Sequence, residues 1–204
     1  RGEKKRVDYI LYYRDNLPLA IIEAKDDAHG VADGMQQALG YADALDVPFV
    51  YSTNGAGFLE HDRLGASGDV EKELTLDAFP SPQALYERYL AAKGLDAAQS
   101  EVIEQAYFSD GSAKPPRYYQ VNAINRVVEA VAKGQSRIML VMATGTGKTY
   151  TAFQIVWRLW QAKKKRRILF LVDRTALADQ TLTGEFRHFG NAVTKIEGPN
   201  VDPA

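Results

Sequence analysis

The sequence predicts an α/β protein built in two unlike parts, and three observations carry that reading. The first eighty residues are strand runs interrupted by one helix, in the order β-β-α-β. After about residue 116, helical patterns alternate with wholly apolar runs, the pattern of a parallel sheet covered by helices. Charge divides at nearly the same place: Arg1 to Asp110 holds 10 basic and 20 acidic residues, whereas Gly111 to Ala204 holds 15 and 6. The net charge of −1 therefore conceals a half at −10 and a half at +9. A basic half is the electrostatic footprint of something that meets phosphate; an acidic half must use metal ions to do so, or meet other proteins.

The elements follow in order. Val7 to Tyr13 and Leu19 to Lys25 are β-branched, aromatic and aliphatic runs flanking the turn signal Arg14-Asp15-Asn16-Leu17-Pro18, so they form a hairpin. Beyond Gly30, helix formers fill Met35 to Leu45. Pro48 and then Phe49 to Thr53 restart a strand, which ends at the turn Asn54-Gly55. From Ser81 to about Phe108 the apolar positions Leu85, Tyr89, Leu90, Val102, Ile103 and Ala106 predict a helical connector. Asp110-Gly111-Ser112 and Pro115-Pro116 are linker chemistry, and the domain boundary is placed at Ser109 to Pro116, giving segments 1–80, 81–115 and 116–204. Tyr119 to Ala132 then reads as helix, Arg137 to Ala143 as buried strand, Gly147 to Ala162 as helix, Arg167 to Val172 as a second apolar strand, and Thr175 to Phe189 as one more helix.

Composition excludes several classes of protein. With 46% hydrophobic and 25% charged residues, the chain is neither disordered nor collagenous. The longest uncharged apolar run is Ile138 to Ala143, far short of the roughly 20 residues that cross a bilayer. Zero cysteines rule out disulfides and thiolate zinc sites and suit a reducing cytoplasm, where the protein is expected. His29, His61 and His188 have no ligand-like spacing. The chain starts at Arg1 without a secretory pattern and reads as an excised piece of a longer protein.

Alternation places Leu19, Ile21, Glu23 and Lys25 on one face of their strand. A hairpin centred between Asp15 and Asn16 pairs Tyr12 with Leu19, Ile10 with Ile21, and Asp8 with Glu23. Like charges facing each other across strands are destabilising, so a cation belongs between Asp8 and Glu23. Mg²⁺, which prefers oxygen ligands and retains waters, suits that place, with Lys25 beside it to orient or deprotonate an attacking water. Gln37 and Tyr41 sit at i and i+4 on one helix face, where both reach toward the same site.

The run Met142-Ala143-Thr144-Gly145-Thr146-Gly147-Lys148-Thr149 lies between a predicted strand and a helix. Its glycines let backbone N–H groups turn toward phosphate, Lys148 reaches the β- and γ-phosphates, and the Thr149 hydroxyl binds Mg²⁺. Met142 stands where the phosphate-loop pattern has its first glycine. Gln120 opens the preceding helix, and an amide can pair with the N6 and N7 edge of adenine, which favours ATP. Lys163-Lys164-Lys165-Arg166-Arg167 is the densest charge run; it complements a helix C-terminus, and it could also track phosphate.

Asp8, Glu23, Lys25, Gln37 and Tyr41 resemble the signature of PD-(D/E)xK nucleases, in the subgroup with an added Q-x-x-x-Y element, although Val7 replaces the literal proline. Gln120, Ala143 to Thr149 and Leu171 to Thr175 resemble the first motifs of superfamily 2 helicase motors. A nuclease followed at once by such a motor looks like the R subunit of type I restriction-modification enzymes. Ser52-Thr53-Asn54-Gly55 and Phe79-Pro80-Ser81-Pro82 add to that likeness. The resemblance implies a mixed nuclease sheet flanked by helices over 1–80, a helical connector over 81–115, and an incomplete RecA-like parallel domain over 116–204. It further implies Mg²⁺ and ATP as cofactors, with double-stranded DNA and the methylation and specificity subunits as partners and no membrane. Asp8, Glu23, Lys25, Gln37 and Tyr41 would be catalytic, Asp8, Glu23 and Thr149 metal-binding, and Gln120 with Thr144, Gly145, Thr146, Gly147, Lys148 and Thr149 ATP-binding. Another nuclease-motor fusion and a non-catalytic docking module are the alternatives. No strand ending in paired acids follows the loop, so these residues alone are expected to bind ATP weakly without hydrolysing it.

Overall fold

The predicted hairpin forms β1 (Tyr9–Arg14) and β2 (Leu17–Ala24) of a computed structural model that describes residues 6–65, 68–111 and 115–196. Its register keeps Ile10 opposite Ile21 and Tyr9 opposite Ile22, as the turn position requires. A bulge near the turn sets Tyr12 against Pro18 rather than the expected Leu19, because a proline without an N–H cannot continue the ladder. The irregularity stays at the turn end; at the other end the ladder stops at Tyr9 and Ile22, so Asp8 precedes β1 and meets β2 through the Ala24 amide rather than as a ladder partner of Glu23.

Helix α1 (Met35–Leu45) connects β2 to β3 (Phe49–Thr53), ending at Asp46 in left-handed geometry with φ 56°. The crossover makes β2 and β3 parallel, with Glu23 beside Ser52. Two further antiparallel strands, β4 (Gly57–Asp62) and β5 (Glu71–Thr75), complete a sheet of order β1-β2-β3-β4-β5. The mixed sheet expected from the resemblance is present, with two strands more than the sequence reading named. β4 buries its acids, whereas the charges of β5 stay exposed. Glu60 and Asp62 are 4% and 2% exposed, and Arg88 donates to both, at 2.8 and 3.0 Å to Glu60 and 3.0 Å to Asp62. The Tyr51 hydroxyl also donates to Glu60, and Arg88 lies 4.5 Å over the Phe49 ring. A buried charge cluster of this kind holds only if all members stay, since removing one partner costs about 3–5 kcal/mol.

The sheet has a helix layer on each face. On one side Ile21, Val47 and Val50 pack against Met35, Ala38 and Ala42 around α1. On the other, Leu17, Leu19, Ala20, Phe49 and Tyr51 meet α2 (Pro82–Lys93) and α3 (Ala97–Ile103) through Leu85, Tyr86, Tyr89, Val102 and Ile103. Each such side chain contributes roughly 1.5–3 kcal/mol on burial. The helices of 81–115 are thus part of the core. Ser81 caps α2 by accepting from the Ala84 amide, with Pro82 in the first turn and Gly94 at the left-handed exit; Asp96 and Gln99 form a capping box on α3.

The same cluster continues into α4 (Tyr118–Ala132) and α5 (Lys148–Gln161) through Ile124, Val128, Ala132 and Leu159. Asn122 donates to the Ala44 carbonyl, and Arg126 forms a fork on Asp46 at 2.6 and 2.9 Å. The proposed boundary at 109–116 is therefore bridged by contacts on both sides of it, and its residues 112–114 lie outside the described residues.

Two predicted strands do not form. Over Arg137 to Ala143 and Arg167 to Val172 the chain makes no ladder, and Met139, Val141, Leu169 and Leu171 are 72–87% exposed. An apolar run becomes a strand only when another strand supplies its hydrogen bonds, and none of the described residues does so here. The two strands expected of an incomplete RecA-like domain are accordingly corrected to unpaired apolar runs among helices. The predicted helix Thr175 to Phe189 is also divided, into α6 (Thr175–Thr183) and 3-10 turns over Glu185–Ala192. Gly184 breaks it: its backbone is non-helical, and a Cβ there would lie 2.7 Å from the Gln180 carbonyl. Among the described residues no helix is long and apolar enough to cross a membrane.

Candidate functional site

Four of the five hairpin-site residues form one continuous chain of hydrogen bonds. The Lys25 ammonium donates to Glu23 Oε1 and to Gln37 Oε1, each at 3.1 Å, and Gln37 Nε2 donates to the Tyr41 hydroxyl at 3.0 Å. The geometry follows from local structure: Glu23 and Lys25 are two apart on extended chain, and Gln37 and Tyr41 are one helical turn apart. Asp8 joins from the edge of β1, where Oδ2 accepts from the Ala24 amide at 2.9 Å and so sits beside the peptide between Glu23 and Lys25.

Glu23 is the buried member at 3% exposure, while Lys25 is partly open and Asp8 and Gln37 are exposed. One Glu23 oxygen is held by Lys25; the other, Oε2, is buried with no hydrogen-bond partner. A buried carboxylate oxygen in that state costs about 1–3 kcal/mol or more unless a cation or donor meets it. No group of three or more His, Cys, Asp or Glu side chains comes together among the described residues. Carboxylate oxygens such as those of Asp8 and Glu23 are the donors Mg²⁺ prefers, and it is commonly held by one or two carboxylates while keeping several waters.

Gly34 and Ser52 belong to this site and were missed in the sequence. The Gly34 amide, at the start of α1, donates to Ser52 Oγ at 3.1 Å, and Ser52 is the strand neighbour of Glu23. A Cβ on Gly34 would come within 2.7 Å of that hydroxyl and 3.0 Å of Glu23 Cγ. Only glycine lets the helix approach so closely. Ser52 stood in a stretch that supported the family resemblance, but nothing in the spacing marked its contact with a residue eighteen positions away.

The second site is the turn before α5. Gly145 and Gly147 have φ of 79° and 82°, a region that favours glycine. Thr146 Oγ1 donates to the Ala143 carbonyl at 2.6 Å, and Lys148 Nζ folds back on the Met142 and Ala143 carbonyls at 3.3 and 3.2 Å. Thr144 and Thr149 are exposed at the turn and the first helical residues, where amide groups at a helix start favour anions. Gln120 is buried against this loop: Nε2 donates to the Thr146 carbonyl at 2.9 Å and Oε1 accepts from the Arg117 amide at 2.8 Å. Its amide is thus engaged at both ends, and pairing with a base requires releasing both bonds. Tyr119, beside Gln120 at the same helix start, donates to the same Thr146 carbonyl at 3.3 Å.

Comparison with known proteins bears on both sites. The family model described as "Type III restriction enzyme, res subunit" matches residues 113–202, the part that holds the glycine turn. The EcoAI endonuclease subunit of a type I restriction enzyme from Escherichia coli is 55% identical over 205 residues, covering 100% of this chain and 25% of that protein. The EcoKI endonuclease subunit from Escherichia coli strain K12 is 38% identical over 140 residues, covering 67% of this chain and 12% of that protein. A fragment structure described as an HsdR subunit of a type I restriction enzyme from Vibrio vulnificus YJ016 superposes with a TM-score of 0.71 at 44% identity, over 80% of this chain and 30% of that one. The chain spans about a quarter of the EcoAI relative, and with that relative matching it from end to end it belongs to the R (HsdR) subunit family of type I restriction enzymes.

Proposed function

We propose that this chain supplies the DNA-cleaving site of a type I restriction endonuclease together with the first phosphate-binding elements of its ATP-driven motor. The observation that carries the cleavage reading is the buried, partnerless Glu23 Oε2 beside an ammonium already fixed between Glu23 and Gln37. Glu23 and Asp8 would hold Mg²⁺, which when bound neutralises phosphate charge and makes water a stronger nucleophile. Lys25, with one acceptor on the strand and another on α1, holds its protons toward the place where a phosphodiester oxygen and an attacking water would lie. The water oxygen would bond to phosphorus and lose a proton to solvent, while the bond to one ester oxygen breaks and that leaving oxygen takes a proton from solvent. Gln37 and Tyr41 orient Lys25, which makes the Q-x-x-x-Y pair part of a PD-(D/E)xK site.

The glycine turn with Lys148 and Thr149 would take the phosphates of ATP and their Mg²⁺, and Gln120 would read adenine after leaving Thr146. Arg126 and Asn122 attach this part to the nuclease sheet, so ATP-driven movement of double-stranded DNA and its cleavage would share one subunit. Methylation and specificity subunits would deliver the target site. We further propose the division into 1–80, 81–115 and 116–204, and ATP binding without turnover by these residues alone.

Lys25→Ala in the full subunit tests the reading. Mg²⁺-dependent nicking should fall by about 10² or more, the usual contribution of a positioned acid-base group, while ATP turnover stays within about twofold. Lys148→Ala should do the reverse to nucleotide binding measured by calorimetry. Loss of both activities in Lys25→Ala would refute two separate sites.

A further inference from the structure

Arg158 is 1% exposed in the last turn of α5, and no carboxylate pairs with it among the described residues. Its Nη1 donates to Asn125 Oδ1 at 2.7 Å, its Nη2 donates to the Ile103 carbonyl at 2.5 Å, and the guanidinium lies 5.3 Å over the Tyr107 ring. Nε is buried without a partner. Burial pushes the guanidinium down to about 10, so it remains charged at neutral pH in a setting with only neutral acceptors. An apolar side chain of like volume would cost less there, because the desolvation of a buried cation exceeds what two neutral acceptors return. The C-terminal end of α5 favours a cation but offsets only part of that desolvation, so stability alone does not account for an arginine at this position.

The acceptors show what the arginine does. The Ile103 carbonyl also receives Asn16 Nδ2 at 3.0 Å, and the Asn16 carbonyl receives Asn125 Nδ2 at 2.8 Å. Arg158, Ile103, Asn16 and Asn125 thus close a ring of hydrogen bonds. Asn16 is the turn of the β1–β2 hairpin, 1% exposed, and its other end carries Asp8 and Glu23. Arg158 stands ten residues, or about 15 Å, along the same helix from Lys148. A second clamp lies nearer the loop: Gln154 takes both the amide and the carbonyl of Phe108, at 2.9 and 3.0 Å.

We propose that Arg158 is a positioning residue for the hairpin carboxylates: through the ring with Ile103, Asn16 and Asn125 it fixes the β1–β2 hairpin to the helix that begins at the phosphate loop, so that nucleotide bound at Lys148 biases the placement of Asp8 and Glu23. The inference rests on the two-site reading above. A stiff helix and a stiff hairpin joined at a closed polar ring move as one body, whereas a joint made of apolar contacts alone permits sliding.

Amide hydrogen exchange on the full subunit, with and without ATP and Mg²⁺, tests it. In the wild type, nucleotide should slow exchange at the first turn of α5 and, by about fivefold or more, at hairpin amides 10–24, the lower end of ordinary site-to-site coupling. Arg158→Met keeps volume and leaves the Ile103 carbonyl on Asn16 and Asn125 Oδ1 on the Tyr107 hydroxyl. There the α5 response should persist and the hairpin response shrink below about twofold. Asn125→Asp retains Arg158 with a carboxylate and cuts only the bond to the Asn16 carbonyl; it should lower the hairpin response partly, and it decides the matter if Arg158→Met does not fold. A hairpin response absent from the wild type, or unchanged in either folded variant, overturns the proposal. If Lys25→Ala retains nicking, the nuclease reading fails instead, since the exchange experiment involves no cleavage.

Discussion

Gly34 is the residue on which the carboxylate site turns. Gly34→Ala forces a Cβ against Ser52 Oγ and Glu23 Cγ, and the start of α1 must retreat, carrying Gln37 and Tyr41 with it. The expected result is about 1–3 kcal/mol of lost stability, the usual range for overpacking. Nicking by the full subunit should fall more steeply than ATP turnover, measured side by side. The buried tyrosines make a second prediction. Burial lifts the Tyr107 phenol to about 12, and burial aided by Glu60, Glu104 and Glu129 respectively raises Tyr51, Tyr86 and Tyr89 as well. In the unfolded chain these groups titrate near their ordinary value of 10.0, so over the window above it the folded state holds protons that the unfolded state has released. Their contribution is complete below pH 10 and falls as pH rises toward 12. Arg158 acts oppositely, being relieved as it loses its proton, but four groups outweigh one. Urea midpoints should therefore drop between pH 9.5 and 11.5, and a flat profile would contradict this packing. Much of the site was legible at this scale because Glu23, Lys25, Gln37 and Tyr41 relate by strand and helix periods. Gly34 and Ser52 were not, since their contact joins a helix start to a strand reached only after the crossover.

Elements repeated that lesson. The hairpin, α1 and β3 could be read because each buries a face with its own period between strong turn residues. Strand β4 escaped because Glu60 and Asp62 look like solvated positions until Arg88 arrives from α2, and β5 because its charged residues remain exposed and give no buried face to read. The runs at 137–143 and 167–172 misled in the opposite sense: their composition suits a central strand, yet pairing is a property of neighbours. Helix α5 shows how an element can belong to two parts at once, since its first turn serves the glycine loop while Gln154 and Arg158 hold Phe108 and Ile103. If the division at 109–116 is right, brief trypsin treatment should cut at Lys114 or Arg117 before other bonds. The halves should then stay associated in gel filtration, because α4 and α5 keep their contacts with the sheet core. Separation at once on cleavage would contradict those contacts, and first cleavage elsewhere would contradict the boundary.

For the whole molecule, an acidic sheet part lies beside a basic set of helices, an arrangement in which ion pairs such as Arg126 on Asp46 cross the junction. Their share is modest: exposed pairs contribute about 0.2–1 kcal/mol, so high salt should leave the parts together. The unpaired runs have a larger effect. Met139, Val141, Leu169 and Leu171 lie in water with backbone donors and acceptors that no ladder engages, and such a segment is a template for any other strand it meets. During synthesis these runs emerge after the five strands of the sheet have been made, so a ribosome carrying the finished sheet would display two adhesive ribbons until companions cover them. Isolated, the 204-residue chain should self-associate as its concentration rises, visible in light scattering. Lysine at Met139 and Leu169 together should abolish the scattering without moving the thermal midpoint of the sheet core, and that pair of charges would convert a sticky intermediate of assembly into a tractable monomer.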